Sequence, residues 1–404
     1  MLLLRRLACA GVAAGFAGAV LAQQSPYYIG ISQGLTYEDN LIRLRDNQQT
    51  PPGLFQADTV SSTALVAGVD QTWGRQRLQG SGSVRANRYK NNRDFDNQGY
   101  SLNLGLQWET IERLSGSVRI AADRQLRADL RDRAGNFILG DNSEASQDID
   151  LRVRLGIAGP WALQAGGSWR KDRFSAEASK FRDYDQRAGS ASLRYRPSAA
   201  SEFGIGLSRS QVDYPRLLTG LPSSNDRRIT DNVDLSALWA PSGLSTLTAR
   251  FSRSKTSYQP FPDRNFTANT GTVDWNWQAT GRTRIVARLA RDIGQDSDRA
   301  TTAYSRITDT LSLGLEYGVS AKVLLNANVG AYRRDIVGNG FFVAGVSGSD
   351  DGNTATLGIK WAALRSLTLG CNAIHDKRGA SDNPLLNDAY SANAVSCFGQ
   401  FVLQ

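Results

Sequence analysis

The sequence predicts an all-β fold, a transmembrane antiparallel β-barrel of about eighteen strands with short periplasmic turns and longer extracellular loops. Three observations predict it. Apolar and polar residues alternate with period two from Tyr27 to Leu403, short turns alternate with long polar loops, and every short turn has a Trp or Tyr of the apolar row beside it. Alternation gives a strand one apolar and one polar face. A soluble sheet alternates too, but keeps its aromatics mid-strand in a core, whereas a ring of Trp and Tyr at one level suits a membrane interface.

The elements follow in chain order. Arg5 and Arg6 precede an apolar stretch from Leu7 to Leu21, and Val20-Leu21-Ala22 offers a small-residue cleavage site before Gln23. Residues 1–22 are therefore expected to be a secretory signal. Residues 23–404 are expected to form a single barrel domain, because no linker or compositional shift divides them. Tyr27, Ile29, Ile31, Gln33, Leu35 and Tyr37 form the first apolar row, and Tyr100, Leu102, Leu104, Leu106 and Trp108 form another. Ile149, Leu151, Val153, Leu155 and Ile157 interleave with Asp148, Asp150, Arg152 and Arg154. Short turns fall near Gly74, at 110–113, at Gly159-Pro160, at 197–201, at 241–243, near Gly281, at 318–321 and at 362–365. The rings beside them are Trp73, Trp108, Trp161, Tyr195, Trp239, Trp277, Tyr317 and Trp361, the expected interfacial girdle. Longer loops are expected at 91–97, 129–145, 215–228 and 335–351. Pairing across these connections leaves both ends of the barrel chain on the periplasmic side.

Composition agrees. Thirty-nine Gly and only 11 Pro suit many strands joined by tight turns. After the signal no apolar run approaches the roughly 18 to 20 residues of a spanning helix, and the mean hydropathy is -0.36, which excludes a helical membrane protein. The hairpin unit recurs about every 40 residues, as in a propeller, yet no blade signature repeats and a propeller has no reason for the short/long asymmetry. Net charge is +9, and 40 of the 47 basic residues are Arg, whose fixed fork of donors suits carboxylates and phosphates.

Residues that could carry chemistry are few. The only His, His375, is followed by Asp376, but strand neighbours point to opposite faces, so the pair makes no catalytic dyad. Asp148 with Asp150, and the acidic loop Ser349 to Asn353, lack the spacing of a calcium site and are expected to be solvated carboxylates. No metal, cofactor or nucleic acid is expected. Cys371 and Cys397 share the apolar parity of the last two strands, and pairing them about a loop centred near Pro384 also sets Arg378 opposite Tyr390. An oxidising periplasm favours a cross-strand disulfide over two free thiols.

The arginines are the functional clue. Parity turns Arg119, Arg152, Arg154, Arg194, Arg250, Arg284 and Arg288 towards the lumen, together with Asp148, Asp150 and Asp274. Arg85, Arg170, Arg196, Lys360, Asp70, Glu109, Asp123, Asp234 and Glu316 face inward by the same rule. These are candidate substrate contacts, and the alternative is that they only neutralise one another across strands.

The segment Asp39-Asn40-Leu41-Ile42-Arg43-Leu44 resembles the opening Asp-Asn-Leu-x-Arg-Leu of the EpsL-type barrels found with exopolysaccharide biosynthesis operons, a branch of the β-barrel porins. The likeness extends loosely to the terminal run Tyr390-Ser391-Ala392-Asn393. The resemblance implies a non-enzymatic conduit in the outer membrane of a Gram-negative bacterium, exporting an exopolysaccharide. Its implied partners are that polymer, anionic if the lumen is matched to it, outer-membrane lipids and lipopolysaccharide, and periplasmic or inner-membrane polysaccharide assembly proteins. Lumen composition alone does not separate export from a general or substrate-specific uptake porin. A barrel-borne lipid or glycan hydrolase is a third reading, weakened by the lack of a His-based site.

Overall fold

Strands with an apolar outer face and a polar inner face can cross a membrane only by closing on themselves, since an open edge leaves backbone groups unpaired at several kcal/mol each. The chain does so in the computed structural model. The structure describes residues 25–45, 48–110, 113–127, 132, 136–156, 159–216, 226–259, 262, 265–296, 304–337, 348–383 and 389–403. The expected signal, Pro384 and parts of several expected loops lie outside the described residues.

Eighteen strands form one sheet: β1 (Tyr27–Glu38), β2 (Asp58–Trp73), β3 (Gln76–Tyr89), β4 (Asn97–Glu109), β5 (Leu114–Leu126), β6 (Ser143–Leu155), β7 (Trp161–Phe174), β8 (Tyr184–Ser198) and β9 (Ser201–Tyr214) make one half. The other half is β10 (Asp226–Ser242), β11 (Ser245–Gln259), β12 (Phe266–Thr280), β13 (Thr283–Asp296), β14 (Tyr304–Gly318), β15 (Val323–Val337), β16 (Gly348–Ala362), β17 (Leu367–Arg378) and β18 (Tyr390–Leu403). Each strand pairs antiparallel with its sequence neighbours, and β1 pairs with β18, from Ile29 opposite Leu403 to Glu38 opposite Ala394. At a spacing of about 4.8 Å and a tilt of about 40°, a round barrel of this strand number is roughly 36 Å between opposite backbones.

The outer face is a continuous apolar band. Leu65, Leu207 and Leu357 are each about two-thirds exposed, at 64, 64 and 65 %, and similar rows run around the wall. A surface of that extent belongs in hydrocarbon rather than water. With closure and the periplasmic-turn pattern, this is an outer-membrane barrel. All eight girdle rings stand at the short-turn ends on outward positions. Trp108 is less exposed than the other seven because it lies flat over Gly116, where an added Cβ would come within 2.3 Å of the indole.

The structure corrects the loop boundaries. Ser349 to Asn353 belong to β16 rather than to an acidic loop, and β15 runs on to Val337. Likewise β6 begins at Ser143, β10 at Asp226, and the connection after β3 contains a short 3-10 helix, Arg93–Phe95. The strands project beyond the bilayer, where both faces are polar, so alternation fades there although backbone pairing continues.

Asp39 to Leu44 lies at the extracellular end of the β1–β18 seam. Asp39 accepts from the Asn393 backbone N–H at 2.7 Å and from its side-chain amide at 2.8 Å. The Asn40 side chain bridges the Leu44 N–H and C=O, each at 2.8 Å, and donates to Ser391 O at 2.9 Å. Arg43, in the left-handed region at φ 54°, ion-pairs with Glu38 and sits 5.4 Å over the Tyr390 ring. Leu41, Ile42 and Leu44 bury themselves with Leu54 and Phe95 in a small extracellular core. Cys371 lies opposite Cys397 and is bonded to it, with Cα atoms 4.0 Å apart.

Candidate functional site

The interior divides along its axis. At the extracellular end inward residues are dry: Thr256 and Asp172 are fully buried, as is Arg334, which grips Asp350 with both arms while Arg378 adds a bond to the same carboxylate at 3.0 Å. Arg170 binds Asp172 bidentately at 2.7 and 3.2 Å and lies 5.9 Å over the Tyr184 ring. Tyr184 packs on Tyr214 at 5.5 Å between centroids. These networks join neighbouring strands and thicken the wall inward.

Towards the periplasm the wall is wet and carries the arginines. Glu202 on β9 gathers three of them: Arg154 at 2.7 Å, Arg196 at 2.9 Å and Arg194 at 3.7 Å. Arg194 also donates to Ser236 Oγ at 2.9 Å. It lies flat across Gly204, where a Cβ would meet its Cδ at 2.8 Å. Arg152 is exposed to the lumen, has no carboxylate partner among the described residues, and lies close enough to Arg194 to repel it. At the periplasmic end of the inner wall of β6 to β9, four guanidinium groups against one carboxylate leave three positive charges. A recess of about 390 Å³ adjoins this wall, lined by Arg75, Arg77, Gln107, Glu109, Arg152 and Arg154.

The other inward residues are more evenly matched. Arg288 donates to Asp274 at 2.8 Å, Arg284 faces Glu316 at 3.8 Å, Arg250 lies 3.7 Å from Asp234, and Asp148 pairs with Arg170 at 3.4 Å. Arg119 stands opposite Asp150 on the adjacent strand and donates to Asn103 Oδ1 at 3.5 Å. The candidates therefore do not act as one site. The structure brings together Arg152, Arg154 and Arg194, and leaves Arg284 and Arg288 neutralised elsewhere.

Sequence reasoning passed over Glu202, the acid that organises the wall, although the outward row Phe203, Ile205, Leu207 puts it inward by parity. It also passed over Arg77, bound to Asp70 at 2.8 Å. His375 and Asp376 do face opposite ways: His375 bonds Asn393 Oδ1 at 2.8 Å, and Asp376 accepts from the Tyr390 hydroxyl at 3.0 Å.

No protein-family model matches the sequence, and no curated protein is similar to it. Among solved structures, the chain is similar to Pseudomonas aeruginosa OccK2 (OpdF) in complex with glucuronate, at 11 % identity and a TM-score of 0.48, covering 94 % of this chain and 98 % of that one. It is also similar to the FrpB iron transporter from Neisseria meningitidis, at 8 % identity and a TM-score of 0.49, over 94 % and 81 % of the two chains. A third is the siderophore receptor PirA from Pseudomonas aeruginosa, at 10 % identity and a TM-score of 0.42, over 95 % and 81 %.

Proposed function

We propose that this barrel is an outer-membrane channel selective for small anionic solutes, a substrate-specific porin rather than an enzyme. The observation that carries the reading is the arginine wall of β6 to β9, where three net positive charges face water beside a recess of solute size. Guanidinium forks bind carboxylates bidentately, and their strength here is limited because Glu202 already occupies most of the donors. Shallow binding suits transport, since a solute must leave as readily as it enters.

Export of an exopolysaccharide, as the resemblance implies, would use the same lumen. Two features favour small solutes instead. The extracellular half is thickened inward by buried ion-pair networks such as Arg170 with Asp172 and Arg334 and Arg378 with Asp350. The Asp39 to Leu44 segment that carries the resemblance packs at the barrel seam, so it speaks for kinship of fold and not for cargo.

Swelling of liposomes containing the purified barrel tests the reading. Monocarboxylated sugars should enter faster than neutral sugars of equal size, and Arg152→Gln with Arg154→Gln, which takes the wall from three net positive charges to one, should shrink the difference. Equal entry of charged and neutral sugars would reject it, and swelling driven by an acidic oligosaccharide too long for the recess would restore the export reading.

A further inference from the structure

Outside the lumen, the outward-facing charges at the extracellular rim carry an excess of cations on one side of the barrel. Register places Lys171 and Arg173 of β7, Asp185 and Arg187 of β8, Arg209 and Asp213 of β9, Arg227 and Asp231 of β10, and Arg253 and Lys255 of β11 on the outer face. Three of the cations are matched: Arg173 with Asp185, Arg209 with Asp231 at 3.5 Å, and Arg227 with Asp213 at 2.6 Å. Lys171, Arg187, Arg253 and Lys255 have no carboxylate partner among the described residues, and the last three are exposed. Arg253 donates only to Asn269 Oδ1, at 2.8 Å.

The opposite side of the barrel is balanced at the same level. There Arg291, Arg333 and Lys377 share the outer face with Asp309, Asp335 and Asp351, and Arg291 pairs with Asp309 at 3.2 Å. A generic rim of solvated charge would not separate the two sides in this way.

Height decides what this patch meets. Below Asp231 on β10 the outward residues are Val233, Leu235, Ala237 and then the girdle ring Trp239. From Trp239 to Asp231 is about 26 Å along the strand, or roughly 20 Å along the axis at the ~40° tilt of such barrels. Lys255 stands opposite Asp231 and Arg253 opposite Val233, two residues lower, so these cations sit roughly 15 to 20 Å above Trp239 and mark the upper part of an apolar band about 25 Å tall, where long side chains reach the outer-leaflet headgroups.

We infer that the outer face of β7 to β11 is a binding surface for the phosphate groups of a phosphorylated glycolipid in the outer leaflet. Its acyl chains would lie against Ile205, Leu235 and Phe251, the outward row below Arg253, while Arg187, Arg253 and Lys255 take the phosphates. Charge complementarity and this level choose the occupant: a lipid already fixed by its chains at the apolar band presents its phosphates at the cations. The surface is independent of what crosses the lumen.

The test titrates the fluorescently labelled, refolded barrel in non-ionic micelles with bis-phosphorylated lipid A, and with the same lipid dephosphorylated. Arg187→Gln, Arg253→Gln and Lys255→Gln together should lower apparent affinity for the phosphorylated lipid at least tenfold, since each basic group near an anionic surface contributes roughly fivefold. Affinity for the dephosphorylated lipid should not change. Arg291→Gln, Arg333→Gln and Lys377→Gln together serve as the control and should leave binding intact. Heat-modifiable gel mobility reports folding, and the single change Arg253→Gln, expected to cost a few-fold, replaces the triple should that one not fold. Equal binding by wild type and patch variant, an equal loss in the control, or equal affinity for both lipids would overturn the inference. So would full competition by inorganic phosphate at matched concentration, which would make the patch a free-anion site.

Discussion

Reversing charge at the β6–β9 wall should reverse the ion preference of the channel. In confined water three net charges about 8 Å from a permeating ion contribute about 1.6 kcal/mol unscreened, falling to about 0.6 kcal/mol at 0.15 M salt and about 1.2 kcal/mol at 0.01 M. The anion-to-cation ratio at the wall is then about sevenfold at the higher salt and some sixtyfold at the lower, as upper bounds. Arg152→Glu with Arg194→Glu takes the wall from three positive charges to one negative, so the preference should become weakly cationic. Reversal potentials across planar bilayers under a KCl gradient measure this. The control neutralises a matched pair, Arg288→Gln with Asp274→Asn, whose partners lie 2.8 Å apart, and should leave the reversal potential unchanged. A wild-type channel that prefers cations would refute the reasoning, as would a wall variant indistinguishable from wild type or a control that shifts as far as the wall variant.

Three further outcomes are expected. Asn40→Ala removes the bonds to Leu44 and Ser391 in a buried setting and should destabilise by about 1–3 kcal/mol in urea unfolding from lipid vesicles, with the protease sensitivity of residues 40–57 rising in step. Replacing Cys371 and Cys397 by Ser opens a link across 26 residues and should lower stability by about 3 kcal/mol in the chain-entropy model; non-reducing mass spectrometry that finds two free thiols in the wild type would remove the premise. In the loop after β17, the Ser349 N–H at 2.6 Å, with hydroxyls of Ser349 and Ser381, holds the Asp382 carboxyl below its ordinary value of 3.8. A lowered acid stabilises above its unfolded value and loses that contribution as pH falls through its folded one, so exchange of the Ser349 amide, corrected for intrinsic rate, should accelerate only below about pH 4, and Asp382→Asn should remove the pH dependence.

The barrel was legible because two periodicities had to agree. Alternation along Tyr100 to Trp108 marks a two-faced strand and is silent about what each face meets. The rings at every short turn supply that, since Trp73 or Trp239 at a strand end is wasted in a soluble core and favoured at a bilayer interface. Where the membrane ends the constraint ends too. Ser349 to Asn353 reads as a loop because neither face needs to be apolar there, yet backbone pairing with β15 and β17 continues.

The arginine wall was less legible, because parity assigns a side and not a partner. Arg284 and Arg152 look alike in the sequence, each inward by parity beside an outward apolar residue, Ile285 in one case and Leu151 and Val153 in the other. They differ through what stands across the sheet: Glu316 faces Arg284 on the adjoining strand, whereas Arg152 faces Gly166, and Glu202, three strands away, pairs with Arg154, Arg194 and Arg196 instead. Such contacts depend on strand tilt and on small residues such as Ala162 and Gly204 that let long side chains lie along the wall, and no local spacing rule encodes them. The excess of arginine over acid at that wall follows from the count of carboxylates within reach, not from the arginines themselves. Adding an acid there should therefore do as much as removing a base: a carboxylate placed at Gln164, beside Arg152 and Arg154, takes the wall from three positive charges to two and should weaken the anion preference without touching any guanidinium.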